Sequence, residues 1–155
     1  MKNVFGLVFL LMAAGLAGCD NSLYNKMKEI PDAKWDIKHP VKFDVEITDT
    51  TQMYDFYVLI RHNTDYNYGN LYTFVTTTFP GDSMTRDTIE FILAEPDGKW
   101  IGDGSGYLKS NEVMISTKFI FPKPGLYSFE FQHAMRDTVL NGISELGIRI
   151  TPTKK

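Results

Sequence analysis

Val41-Lys42-Phe43-Asp44-Val45-Glu46-Ile47 sets an apolar residue at every second position and a charged one between each pair. Successive side chains of an extended chain point to opposite faces, so this spacing predicts a strand with one face buried and the other in water. The same period recurs downstream. Residues 54–61 place Phe56, Val58 and Ile60 on one face, while Asp55, Tyr57, Leu59 and Arg61 make the other face less polar, as in a central strand. Residues 71–78 are β-branched and aromatic, a strand by propensity. Ile89, Phe91 and Leu93 align over residues 87–93, and Val113, Ile115, Phe119 and Phe121 align over residues 113–121. Tyr127, Phe129 and Phe131 follow a turn at residues 122–125, and Leu146, Ile148 and Ile150 come last. About seven to eight short strands between turn signals, with no competing amphipathic helix, predict an all-β fold. The architecture expected is an antiparallel β-sandwich of immunoglobulin-like or jelly-roll type.

Composition narrows the function classes. With 155 residues, 43% of them hydrophobic and 14% aromatic, the chain can bury a core and does not read as disordered. A net charge of −3 and a sequence pI near 5.6 leave no basic stripe to neutralise phosphates, so nucleic acid is not an expected partner. The single cysteine excludes an intrachain disulfide and any multi-cysteine zinc site.

That cysteine has another use. Lys2 precedes an apolar run over residues 4–16, shorter than the ~20 residues a membrane span needs, which reads as the core of a signal peptide. The run ends in Leu16-Ala17-Gly18-Cys19, which resembles a bacterial lipobox, where small residues precede a cysteine that is acylated and becomes the new N-terminus. Residues 1–18 are then a lipoprotein signal peptide and Cys19 is the lipidation site. Residues 19–34 form a polar tether with at most one short helix, ended by Pro31, and residues 35–152 the β-sandwich domain. Each buried methylene adds ~0.8 kcal/mol, so several acyl chains, palmitate among them, hold firmly. The membrane is therefore an expected partner through the N-terminal lipid. No acidic block follows Cys19, which favours a periplasm-facing domain, with the outer membrane as the favoured site.

No catalytic constellation emerges. His39, His62 and His133 share no ligand spacing and read as surface or edge residues, so neither metal nor cofactor is expected. Gly104-Ser105-Gly106 lacks the strand-to-helix context of a nucleophile elbow. The segment from Asp97 to Gly106 holds two aspartates among four glycines around Trp100. A structural turn is its simplest reading, ahead of a partner-contact loop and of a calcium loop, since it lacks the closing glutamate. Tyr66, Tyr68 and Trp100 are candidate partner-binding residues, with sugar stacking or simple capping of the sandwich as the alternatives.

Arg61, Tyr66-Asn67-Tyr68, Asn70-Leu71, Asp87-Thr88-Ile89, Gly98-Lys99-Trp100-Ile101-Gly102 and Gly104 appear in order along the chain. They are followed by Gln132-His133-Ala134-Met135-Arg136, Leu140-Asn141-Gly142-Ile143 and Leu146-Gly147-Ile148-Arg149-Ile150. With the lipobox, this series resembles the GldH gliding-motility lipoprotein family over nearly the whole length. Asn67 stands where the pattern leads one to expect proline. The resemblance implies a Bacteroidetes envelope lipoprotein, needed in gliding members for motility and for the linked type IX secretion system. It brings no catalytic residues with it. Two roles follow as expectations: a non-enzymatic accessory that assembles or stabilises other envelope lipoproteins, or a periplasmic glycan-binding module. Four Asp-Ser/Thr-apolar triplets, at Thr50, Ser83, Thr88 and Thr138, resemble Bacteroidetes O-glycosylation acceptors; Thr50 and Ser83 are the candidates, since both fall in expected turns.

Overall fold

A computed structural model describes residues 21–154. Ten strands lie among them: β1 (Tyr24–Glu29), β2 (Lys34–Asp36), β3 (Val41–Ile47), β4 (Tyr54–Asn63), β5 (Asn70–Thr78), β6 (Met84–Ile92), β7 (Leu108–Phe119), β8 (Gly125–His133), β9 (Val139–Asn141) and β10 (Ile143–Pro152). They build two four-stranded antiparallel sheets, ordered β1-β10-β4-β7 and β3-β8-β5-β6, beside a two-stranded β2–β9 ribbon. The expected antiparallel sandwich is what the chain forms. Its strand count is higher because β1, β2 and β9 are polar or only three residues long.

The alternation read from the sequence selects the buried face. Phe43, Val45 and Ile47 of β3 point inward, as do Phe56, Val58 and Ile60 of β4 and Ile148 and Ile150 of β10. The sheets meet through rings such as Phe56 and Phe129, whose centroids lie 5.0 Å apart. As expected of a central strand, β4 lies between β10 and β7.

Register assigns the connections to two ends. Tyr24 stands opposite Ile150, Tyr54 opposite Pro152, Ile47 opposite Gly125 and Thr78 opposite Met84. The connections over residues 48–53, 79–83 and 120–124 therefore share one end with the start of β1, here called the entry end. The β2–β9 ribbon and the connections over residues 64–69, 93–107 and 134–138 share the other, the ribbon end.

Residues 24–29 correct one expectation. They were to be part of a tether, yet they form β1 and pair with β10 along their whole length. Five of the six side chains are exposed, so the pattern carries no buried stripe for sequence reasoning to find. Backbone pairing holds the strand, together with Tyr24, whose ring packs edge-on over Phe43 at 6.5 Å. Gly147 admits β1 closely: a Cβ there would lie 2.6 Å from Met27 Cγ and 2.7 Å from the Lys26 carbonyl oxygen. The sheet thus begins eleven residues before the domain boundary expected at residue 35.

The opposite edge is built differently. There β6 and β7 are the outer strands of their sheets. The first five residues of β6, from Met84 to Thr88, are all exposed, and Ile89 and Ile115 are only half-buried at inward positions. Near this corner β7 bends at Lys118 (φ 52°). The Asp55 carboxylate holds the bend, accepting hydrogen bonds from the Lys118 backbone N–H at 2.9 Å and from the Thr117 and Thr153 hydroxyls at 2.7 Å each. These bonds, the Lys118 N–H foremost, hold its carboxyl below the usual carboxylate range.

Candidate functional site

At the ribbon end the alternation of β4 and β8 runs on by one step beyond its apolar residues. Ile60 is followed at the next inward position by His62, and Phe131 by His133, and both histidines are fully buried. The surface or edge placement expected for them is therefore corrected; only His39 is exposed. The His62 ring donates from Nδ1 to the Asn63 carbonyl at 3.0 Å, leaving Nε2 without a partner. Trp100 covers one side of this ring at 4.5 Å, and Tyr66 lies 5.9 Å away. Trp35 sits edge-on to His133 at 5.4 Å, and the backbones of Thr138 and Trp35 are polar groups that interact with that ring. Burial pushes both imidazoles below the ordinary histidine pKa, so both are neutral.

The three aromatics expected to make a partner-binding face do come together, but as the lid of this end. Tyr66 is 3% exposed, and its hydroxyl donates to the Asn70 carbonyl at 2.8 Å. Burial pushes its phenol above the usual tyrosine range. Trp100 is half-buried against His62, and Tyr68 is half-buried with its hydroxyl on Asp137 Oδ2 at 2.8 Å. Gly142 (φ 101°) lets Tyr66 settle, since a Cβ there would lie 2.8 Å from Tyr66 Cα. Tyr66 is thus part of the core, while Tyr68 and Trp100 keep part of their surface in water.

The segment around Trp100 is a folded turn. Ala94 bridges Trp100, Asp103 bridges Ser110, and Gly98, Gly104 and Gly106 take positive φ. Asp97 accepts from the Lys99 N–H at 3.0 Å, a local turn bond. No group of three or more possible metal ligands occurs among the described residues. Of the triplet residues, Thr50 is half-buried and Ser83 exposed; Thr88 and Thr138 are exposed too. Cys19 and the signal segment lie outside the described residues.

Two clefts remain. One, of about 560 Å³, lies between Lys28, Lys34 and Lys42 on one hand and Glu29 and Asp36 on the other, over Trp35, with its charges mixed. The second, of about 280 Å³, opens at the loose corner between β6 and β7. Phe56, Val75 and Phe129 form its floor, Ile89, Ile115 and Phe119 its walls, and Asp87, Thr77 and Ser116 supply its polar groups. Sequence periodicity marked nearly every apolar residue here as core. It could not show that the two sheets part at this corner.

A family comparison settles what kind of protein carries these features. Residues 22–150 match the model of the family described as GldH lipoprotein. The chain belongs to the GldH lipoprotein family. Within that family it is 30% identical, over 159 aligned positions, to a gliding motility lipoprotein GldH homolog of Christiangramia forsetii, with 97% of each chain covered. It is 29% identical over 151 positions to the gliding motility lipoprotein GldH of Flavobacterium johnsoniae, covering 92% of this chain and 93% of that one. GldH-family membership makes this a lipoprotein and agrees with the resemblance carried by the sequence motifs.

Proposed function

We propose that this chain is a non-enzymatic accessory lipoprotein of gliding motility, acting with the linked type IX secretion system by docking other envelope lipoproteins at its open corner. Cys19 carries the lipid. The cleft between β6 and β7 supports this reading most directly. Both strands end their sheets there, so each offers unpaired backbone N–H and C=O groups. An aromatic floor lies between them. An extended apolar segment of a partner finds ladder bonds and a side-chain pocket in one place, the combination that strand addition uses.

Ile89→Arg tests it, because the charge would stand in the mouth of the cleft while the side chain is already half-exposed. A photo-crosslinker placed at Ile115 should capture envelope lipoproteins in the native host, and Ile89→Arg should abolish that capture and reduce type IX secretion with little change in melting temperature. Unchanged capture and secretion in that variant would refute the docking role. Retention of the chain on a glycan array would replace it with the sugar-binding role.

A further inference from the structure

The fold limits how the molecule can stand on its membrane. Only five peptide steps separate Cys19 from Tyr24, the first residue of β1. Fully extended at ~3.3–3.6 Å each, they reach no further than about 18 Å. Tyr24 opens β1 at the entry end, level with Phe56 through Ile150, whereas the far tip of β4 at Asn63 lies seven residues on, about 23 Å away along the strands. An acylated Cys19 therefore brings the entry end to the lipid and leaves the ribbon end too distant to take its place.

The surface of the entry end fits that position. Its three connections each carry an exposed apolar side chain in or beside them: Met53 at 46%, Met84 at 68%, and Ile120 and Leu126 at 48% and 56%. Its three connections hold Asp49 and Asp82 against Lys123, with Lys118 of β7 and Lys154 after β10 at the same end. The ribbon end also exposes apolar residues, Ile101 and Tyr107 among them, so exposure alone does not choose between the ends. Charge does. The three ribbon-end connections hold Asp65, Glu95, Asp97, Asp103 and Asp137 against Lys99 and Arg136, an excess that an anionic bilayer repels.

We propose that the entry end lies against the bilayer that holds the acylated cysteine, with Met53, Met84, Ile120 and Leu126 in contact with lipid and the acidic ribbon end facing away. This rests on the reading of Cys19 as the lipidation site. The test uses the full acylated chain in phosphatidylethanolamine–phosphatidylglycerol vesicles. Because acylation occupies the Cys19 sulfur, one introduced cysteine is the only free thiol for a nitroxide label. Labels at Met84→Cys and, separately, Ile120→Cys should be relaxed by oxygen and shielded from a water-soluble nickel complex, while a label at Ser105→Cys should show the reverse. Flotation of each variant with the vesicles is read first. A chain that does not float fails as a lipoprotein anchored at Cys19, and the orientation falls with it. A chain that floats with all three labels equally open to nickel keeps its anchor and overturns the orientation alone.

Discussion

The two edges of the sandwich close in opposite ways. At one, β1 and β3 bring Tyr24 over a fully buried Phe43, with the Lys28 ammonium 5.5 Å from the same ring, and the charged cleft opens only farther along, beside Trp35. At the other, β6 and β7 stand apart, and half-buried Ile89 and Ile115 border a cleft. The closed edge depends on a strand with almost no apolar residues, while the open edge has apolar residues in regular alternation. A hydrophobic pattern therefore decides which face of a strand turns inward. Whether a neighbouring strand arrives to cover that face is decided by backbone pairing and by small residues such as Gly147.

The largest expected effect sets the edges against each other directly. Phe43→Ala should cost ~3–5 kcal/mol of folding free energy by leaving a cavity at the closed edge. Ile89→Ala should cost only ~1–2 kcal/mol, since part of that side chain is already in water. Urea unfolding of both variants checks this, and equal losses would mean that the corner is not open. Next comes Gly147→Val, which should cost ~1–3 kcal/mol by pressing side-chain atoms on Lys26 and Met27. Hydrogen exchange should then show residues 24–29 unprotected while β4 and β8 stay protected. Uniform loss of protection would show that the closed edge is not a separable unit.

Acid acts on the ribbon end of the sandwich and should leave the contrast between the edges intact. His62 and His133 are held neutral in the fold, below their ordinary pKa. The unfolded chain takes up protons first, near pH ~6.5, so their contribution is fully present above that value and is lost as pH falls through the lower folded values. Urea midpoints should be level from pH 8 to about 7 and fall below about 6.5, with a shallower fall in His62→Gln. The smallest change expected is in Tyr68→Phe. It removes a solvent-exposed bond to Asp137 and should shift stability by ~0.5 kcal/mol or less, within reach of careful thermal melts.

Particular residues show how far the sequence could be read. The alternation of residues 41–47 reproduces β3 with its exact limits, and Phe56, Val58 and Ile60 face the side they were expected to face. The buried histidines were open to the same reasoning: each is the next inward residue of an alternating strand, and position outweighs polarity at the end of such a run. Tyr66 and Trp100 belong to asparagine- and glycine-rich connections of the kind that usually run over a surface. They are covered because His62 and Gly142, both distant in sequence from Trp100, leave room for them. The open corner depends on the separation of two sheets, which no local pattern encodes. The family resemblance was legible from short motifs spread over the chain, and residues 22–150 carry it.

The link between Cys19 and β1 also has a kinetic side. On the proposed anchoring at Cys19, the domain meets neighbouring lipoproteins by diffusion in a plane, and confining both to one thin layer raises their local concentration toward the roughly millimolar range that short tethers reach. At such concentrations a contact with a dissociation constant near 100 μM, worth about −5.5 kcal/mol, is mostly occupied. For the proposed docking role, a cleft of about 280 Å³ would then suffice, since weak pairing of this kind also lets a partner go readily.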